Sequence, residues 1–367
     1  MEYEIVPFSK VPGGLWDKWV SRISDATYLH SAKFLAFLHA MMPPDSVFTF
    51  ACIDGKGDAV ALCPLAISKN NIAGMEFHEA SWKGAPLGMP AFRKMDPGQA
   101  RKARREVFEY YHRVIKDHDG KRCYLRKHAV SLNMLSGIDT TASQFAILQE
   151  GYEPHVQNTA VIDMRLSEEE LAENLSKYHR RHMKRSQRDG LVVVEYDGQA
   201  EGLQEVFESY KAAHIKAAGG KVRPNTTYDM MFDYIEQGAA RLFVVLLGKE
   251  PLGFLYCGEF HHFAFGWSQV NIKEFEKQYS PRHLLEWEAI RSYKRRNFNF
   301  YEIGTLWFGP QIYKVPTPKE LSISEFKRRY GGVLFPEIFF EKIFDEALKK
   351  HIYRHRVDGF LSAGHCT

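Results

Sequence analysis

The chain has 367 residues, of which 45% are hydrophobic, 14% aromatic and 26% charged. That supply of apolar side chains fills a large core and excludes an intrinsically disordered class, and the length suits about two domains. With 49 Lys and Arg against 45 Asp and Glu the net charge is only +4, so a chain-wide polyanion-binding role is excluded and any basic chemistry is local.

Five cysteines, Cys52, Cys63, Cys123, Cys257 and Cys366, form no CxxC pair and no His/Cys cluster at zinc spacing. This points to a reduced chain with no metal. The start MEYEIVPFSKVPGG has neither a basic n-region nor an apolar h-region, and no apolar run approaches the roughly 18 residues of a membrane helix. The expectation is a cytoplasmic protein without an integral membrane span.

In chain order, a strand at Tyr3–Val6 precedes helices near Leu15–Ile23 and Ala32–Met41. The apolar runs SVFTFACI and DAVALCPLAI, separated by DGKGD, read as a hairpin. Asp96 and Pro97 supply an N-cap and an N1 proline for a long helix to about Asp117. A strand RCYLR follows, then a helix near 141–150 that Gly151 ends.

Ser167 with Glu170 forms a capping box for one helix whose acidic first turn and basic later turns suit the macrodipole. Its basic part, KYHRRHMKRSQRDG, carries Lys177, Arg180, Arg181, Lys184, Arg185 and Arg188, read as spread over several faces. The run fits an anion-binding element and equally a solvated face held by Leu171, Leu175 and Tyr178.

The second half repeats the order of the first. The strand LVVVEY precedes a helix through Leu203, Val206, Phe207 and Tyr210, and a second helix at about 228–237. A three-strand meander follows (RLFVVLLG, LGFLYCGEF, FAFGWSQV), then a helix from Pro281 and the strand FYEI. Both halves read strand, two helices, hairpin or meander, helix, strand, which implies two copies of one α/β unit. The tail EIFFEKIFDEALKK reads as an amphipathic helix.

In KQYSPRHL, Ser280 can cap the helix that Pro281 begins, and free amides near Arg282 and His283 offer partial positive charge to a phosphate. Arg282 adds a full charge. The same pair of residues also fits an ordinary capped helix start.

The order of these elements, together with YSPRHLLEWEAIRSYKRRNFNFYEIG and SEFKRRYGG, resembles the FemAB-like and BioF2-like acyltransferases, double-domain members of the GNAT superfold. HSAKFLAFL at 30–38 is similar to the family's early helix, and GYEPHVQNTAVIDM to its inter-domain passage. The resemblance spans nearly the whole chain. It implies an α/β (α+β) protein of tandem GNAT-like domains, each a mixed central sheet flanked by helices. Expected boundaries are 1–158, 159–332 including the basic inter-domain helix 168–188, and a strand/helix tail at 333–367 packing on the body.

The resemblance further implies an N-acyltransferase that moves an acyl group from acyl-CoA to an amine of a small-molecule or cell-envelope-related acceptor, without a covalent enzyme intermediate. Simple GNAT enzymes cradle the pyrophosphate in a glycine-rich turn. This chain has no glycine in KQYSPRHL, which puts the donor in question.

The rivals are a FemAB-type transferase using aminoacyl-tRNA on a peptidoglycan precursor, and a non-catalytic nucleic-acid or partner-binding protein with a degenerate fold. The family places a lysine near the reacting carbonyl at the position of Lys327, where a cation stabilises an oxyanion. Beside Phe326 and Tyr330 it equally fits an exposed charge.

His214, Glu259, His283 and Glu302 have the right type for a base. The expected site is then Lys327, His283 and Glu302 for catalysis, and Ser280, Arg282 and His283 for the donor. Arg223 and Tyr228 in the irregular loop GGKVRPNTTYD, with Lys314 in LWFGPQIYKVPTPKEL, serve the acceptor.

Overall fold

The computed structural model describes residues 3–131 and 141–363, so Cys366 lies outside them. The chain divides into two units, one of residues 1–157, 308–318 and 336–367, the other of 158–307 and 319–335.

In the first unit, β1 (Glu4–Pro7), α1 (Leu15–Arg22) and α2 (Ala32–Ala40) lead into the expected hairpin, β2 (Phe50–Ile53) and β3 (Ala59–Cys63). Gly57, at φ +80°, supplies the left-handed residue of its turn. Then come β4 (Ile67–Ile72), β5 (Met75–Ala80), the short β6 (Leu87–Gly88) and β7 (Ala91–Phe92), α3 (Pro97–Asp117) and β8 (Gly120–Lys127).

Asp96 caps α3 as read from the sequence, its Oδ1 accepting from the amides of Gly98 and Gln99. Residues Thr141–Glu150 form a 3-10 helix instead of the expected α-helix. One sheet runs β1-β2-β3-β7, and a second pairs β4, β5 and β8.

In the second unit, β9 (Glu153–Asp163), whose residues from 158 onward belong here, is followed by α4 (Glu168–Asn174) and α5 (Lys177–Arg188). Next come β10 (Leu191–Tyr196), α6 (Leu203–Ala217), α7 (Asn225–Glu236), β11 (Ala240–Leu247), β12 (Glu250–Phe260) and β13 (Phe263–Asn271). The short α8 (Lys273–Tyr279), α9 (Pro281–Arg295), β14 (Phe300–Leu306) and α10 (Pro318–Arg328) complete the set.

The sheet order is β10-β11-β12-β13-β14-β9. All neighbours are antiparallel except β13 and β14. Leu284, Leu285, Ala289, Ile290 and Tyr293 of α9 pack with Phe243, Val245, Leu255 and Tyr301 of the strands into one apolar core.

Two readings of the sequence need correcting. The basic helix is not continuous with the acidic one, because Leu175 turns extended (ψ 140°) and Ser176 caps α5 by accepting from the His179 amide. The tail is helical only from Glu346, in α11 (Glu346–Ala363). EIFFEKI lies in β15 (Val333–Ile343), where residues 338–343 pair with β8 in the first unit. Apolar Ile338, Phe339, Phe340 and Ile343 fit either pattern over so short a run, and pairing with β8 decided between them.

Candidate active site

The ladder between β13 and β14 has three pairs, Phe263↔Phe300, Ala264↔Tyr301 and Phe265↔Glu302. Beyond them β13 runs on to Asn271 and β14 to Leu306 without pairing to each other. A bulge between Glu302 and Gly304 redirects β14 at that point. From Gly266 onward the β14-side edge of β13 therefore presents backbone groups with no strand partner among the described residues. On the same stretch, Gln269 Nε2 and Asn271 Oδ1 are buried without a hydrogen-bond partner. Buried orphans of this kind mark a place where another polar group belongs.

Lys327, in the last turn of α10, reaches this divide. A Cβ built on Gly304 would lie 2.8 Å from its Nζ, so the glycine makes room for the amine. Helix α10 is anchored on three sides. The Ser324 hydroxyl accepts from the Trp307 amide at 2.8 Å, a His179 ring nitrogen meets the Phe326 carbonyl, and Tyr330 Oη donates to the Arg282 carbonyl.

Gly331 of the YGG end is required by close approach, since a Cβ there would lie 2.4 Å from the Asn174 carbonyl oxygen. Lys327 makes no hydrogen bond or ion pair with a described residue, so its three donors are uncommitted. Burial lowers its pKa, while Glu286 first and Glu302 second oppose that shift.

Glu302 sits on the last β13–β14 pair, 4% exposed, and accepts from Thr159 Oγ1 at 2.6 Å. Glu286, which sequence reasoning missed, is equally buried on α9 and accepts from Tyr301 Oη at 2.6 Å. Burial raises its pKa against the lowering effect of Tyr301, Lys327 and Arg282. Its signal was a carboxylate inside the core-facing run HLLEWEAI, in register with His283 and Ile290.

The start of α9 differs from its expected role. Ser280 has φ +53° and makes no capping bond; its hydroxyl pairs with His182 Nδ1 at 3.1 Å. Helix α5 lies across this end, with Ser186 Oγ donating to the Tyr279 carbonyl and Arg185 to that of Gln278. Pro281 is buried, and the ring of His283 stacks under His182 at 4.7 Å. Of the three donor residues, Arg282 alone keeps its charge on offer, with its guanidinium 4.2 Å from the Phe326 ring centroid.

His283 also fits poorly as a base. Burial, then its neighbours His179, His182 and two arginines, lower its pKa to about 3. Such a ring accepts a proton reluctantly at neutral pH. Glu259 is likewise engaged, in a two-pronged bond with Arg296 at 2.6 and 2.8 Å.

The second unit brings Arg223 and Tyr228 together with His214. Arg223 donates to His214 Nε2 at 2.7 Å, so Nδ1 carries the ring proton and donates to Tyr228 Oη at 2.9 Å. Tyr228 is fully buried, which makes it the support of Arg223 more than a contact for an acceptor. Lys314 falls in the first unit, in a tight turn with Gln311, and is not among the residues the second unit assembles.

The basic residues of α5 correct another expectation. Lys177, Arg180, Arg181, Lys184 and Arg188, with Gln187, line one open cradle of about 810 Å³. Positions 177, 181, 184 and 188 recur every three or four residues, which is one stripe of an α-helix. Those four cations have no acidic partner among the described residues.

Residues 174–315 match the family model of an acetyltransferase (GNAT) domain. No curated protein matches the chain. Among solved structures, FemX is similar over 96% of this chain and 100% of that one, with a TM-score of 0.64 and 13% identity. L-PGS from Bacillus licheniformis aligns over 88% and 90% of the two chains, with a TM-score of 0.55 and 12% identity. A tandem GNAT protein from the clavulanic acid biosynthesis pathway aligns over 94% and 99%, with a TM-score of 0.52 and 11% identity. At these identities the likeness is one of fold.

Proposed function

We propose, on the premise that this chain has a double-domain GNAT/FemAB-like fold, that it is an N-acyltransferase using an acyl-CoA-type donor and an amine of a small-molecule or cell-envelope-related acceptor. The observation that carries the reading is the divide between β13 and β14, with one open strand edge and an uncommitted lysine at its mouth. An extended donor arm carrying amides pairs with such an edge as a strand would. Its thioester carbonyl then lies at the Gly304 end, within reach of Lys327.

The amine nitrogen attacks the carbonyl carbon, and the oxygen takes up the electron pair as an oxyanion facing the Lys327 ammonium. Collapse breaks the C–S bond. The thiolate leaves and takes up a proton, while the proton lost from nitrogen passes to a carboxylate or water of the site. Its position at the last β13–β14 pair supports assigning that role to Glu302.

One observation favours a second reading, in which aminoacyl-tRNA is the donor and a peptidoglycan precursor the acceptor. The single cationic stripe of α5 has the footprint of a phosphate-backbone contact. Calorimetric titration of nucleic-acid-free protein with acetyl-CoA, CoA and an aminoacyl-tRNA pool separates the two. Micromolar binding of CoA supports the first. Salt-sensitive tRNA binding without CoA binding replaces it with the second, and silence from both returns the chain to a non-catalytic role. Near-normal turnover by Lys327→Ala would remove the oxyanion role.

A further inference from the structure

The Gln269 side chain is satisfied at one end only. Its Oε1 accepts from Arg282 Nε at 3.4 Å, while its Nε2 is buried without a hydrogen-bond partner. A guanidinium only donates, so Arg282 fixes which way the amide points and leaves the NH2 group as the unmatched end. Arg282 is itself held, because its guanidinium lies 4.2 Å from the Phe326 ring centroid and its carbonyl accepts from Tyr330 Oη at 3.4 Å. Phe326 directly precedes Lys327 on α10. One strut therefore sets both the Gln269 amide and the helical turn that carries the Lys327 amine.

Gln269 pairs with Leu255 of β12, and Leu255 belongs to the core formed with α9, so the Gln269 side chain lies on the α9 face of the sheet. It stands three residues past Gly266, on the stretch of β13 that has left β14. Two residues further, Asn271 Oδ1 is a second buried atom without a partner. Gly253 opposite leaves it room, since a Cβ there would lie 2.8 Å from that oxygen. Unpaired buried amide groups are costly, and a native site keeps them where another molecule completes them. A donor and an acceptor on alternate residues, roughly 7 Å apart along the strand, complement an extended arm that carries secondary amides. The Gln269 amide is neutral, and the amide carbonyl of such an arm is the matching neutral acceptor.

We infer that Gln269 is a donor-binding residue whose Nε2 donates to an amide carbonyl of the extended donor arm, and that Arg282 is the positioning residue that turns the Gln269 amide that way. The inference rests on the reading of an acyl-CoA-type donor laid along β13. It gives Arg282 work that needs no phosphate.

The test uses coenzyme A and, as the arm without its nucleotide, pantetheine. The full chain is labelled with 15N-glutamine, and the Gln269 side-chain amide signal is assigned by its loss in Gln269→Leu. At constant ionic strength both probes shift that signal saturably, with one of its two protons moving downfield as it gains a hydrogen bond. Gln269→Leu weakens pantetheine binding by about 5–10-fold. Arg282→Leu costs a similar factor, because the freed amide turns its oxygen to the site as readily as its nitrogen, and Arg282→Lys, which still donates, recovers most of the loss.

If Gln269→Leu does not fold, Gln269→Glu supplies the assignment and the titration of the unsubstituted chain decides. Saturable binding of pantetheine or coenzyme A with the Gln269 signal unmoved overturns the inference and leaves the acyl-CoA reading standing. Binding of neither probe by the unsubstituted protein removes that reading and the inference together.

Discussion

Gly304→Ala tests the placement of Lys327 without altering a charge. Gly304 has φ +111°, where an L side chain is strained, and its added Cβ would sit 2.8 Å from Lys327 Nζ. The backbone strain costs about 1–2 kcal/mol. For a unit of this size that lowers Tm by roughly 2–8 °C. The amine is the flexible end of its side chain, so it moves aside, out of line with the carbonyl. A displaced oxyanion donor costs up to about 10²–10³ in rate, so kcat falls by about 10–100-fold with KM little changed. Gly57→Ala is the control, since its φ is +80° and no atom lies within 4 Å of the added Cβ. It loses comparable stability and keeps its rate. The assay is thiol release from acyl-CoA with an amine pool, beside thermal unfolding of both variants. Wild-type turnover by Gly304→Ala despite a lowered Tm would refute the placement of Lys327 at the reacting carbonyl.

Replacing Lys177, Arg181, Lys184 and Arg188 together by alanine leaves Tm nearly unchanged, because these exposed cations have no ion-pair partners to lose. If they contact single-stranded RNA, the slope of log binding constant against log salt shrinks by about 3, roughly 0.7 per contact; an unchanged slope means the stripe is only solvated. His179 and His283, whose burial lowers their pKa values to about 4 and about 3, bind fewer protons folded than unfolded between those values and about 6.5. Stability therefore rises with pH across that window and is lost on acidification. Urea midpoints measured from pH 7 down to 4.5 fall less steeply in His283→Phe; equal slopes would mean that the ring does not stay neutral in the folded state.

The sequence made the skeleton of the second unit legible because its signals were local. Ser167 with Glu170, the meander from 241 to 270 and the helix from Pro281 each depend on spacing within a few residues. What escaped depends on partners far along the chain. The 337–343 run took its strand form from β8, more than 200 residues earlier. The break at Ser176 was hidden because the apolar spacing of Leu171 and Leu175 continues through it. Lys327 was selected by resemblance and Glu302 by residue type, and the structure sets the Lys327 amine beside Gly304, two residues beyond Glu302 on β14. Glu286 was overlooked because a carboxylate on an amphipathic helix is read by default as its wet face. Lys314 was placed with the acceptor by loop character alone, which carries no information on the unit a loop joins.

The closed end of α9 bears on how a donor is recognised. A helix N-terminus holds a phosphate only when its first amides face open space. Here Ser280 spends its hydroxyl on His182, Pro281 brings no N–H, and His283 is buried beneath the rings of α5. The open β13 edge adjoins this closed end, where Arg282 Nε donates to Gln269 Oε1 at 3.4 Å, and Lys327 lies beside Gly304 of β14. For the proposed acyl-CoA donor, affinity is then expected chiefly from the extended amide arm and the acyl group, and little from the diphosphate. Acyl-pantetheine, which lacks every phosphate of acyl-CoA, should retain kcat/KM within about tenfold, a difference of ~1.4 kcal/mol. A phosphate cradle at α9 predicts the reverse, since losing several charge-assisted hydrogen bonds at roughly 1.5–3 kcal/mol each costs far more than 100-fold. Comparing the two donors on one amine decides it. A loss beyond 100-fold would mean that α5 moves off the helix end when donor binds, and that the arrangement of His182, Ser186 and Ser280 is the closed form of the site.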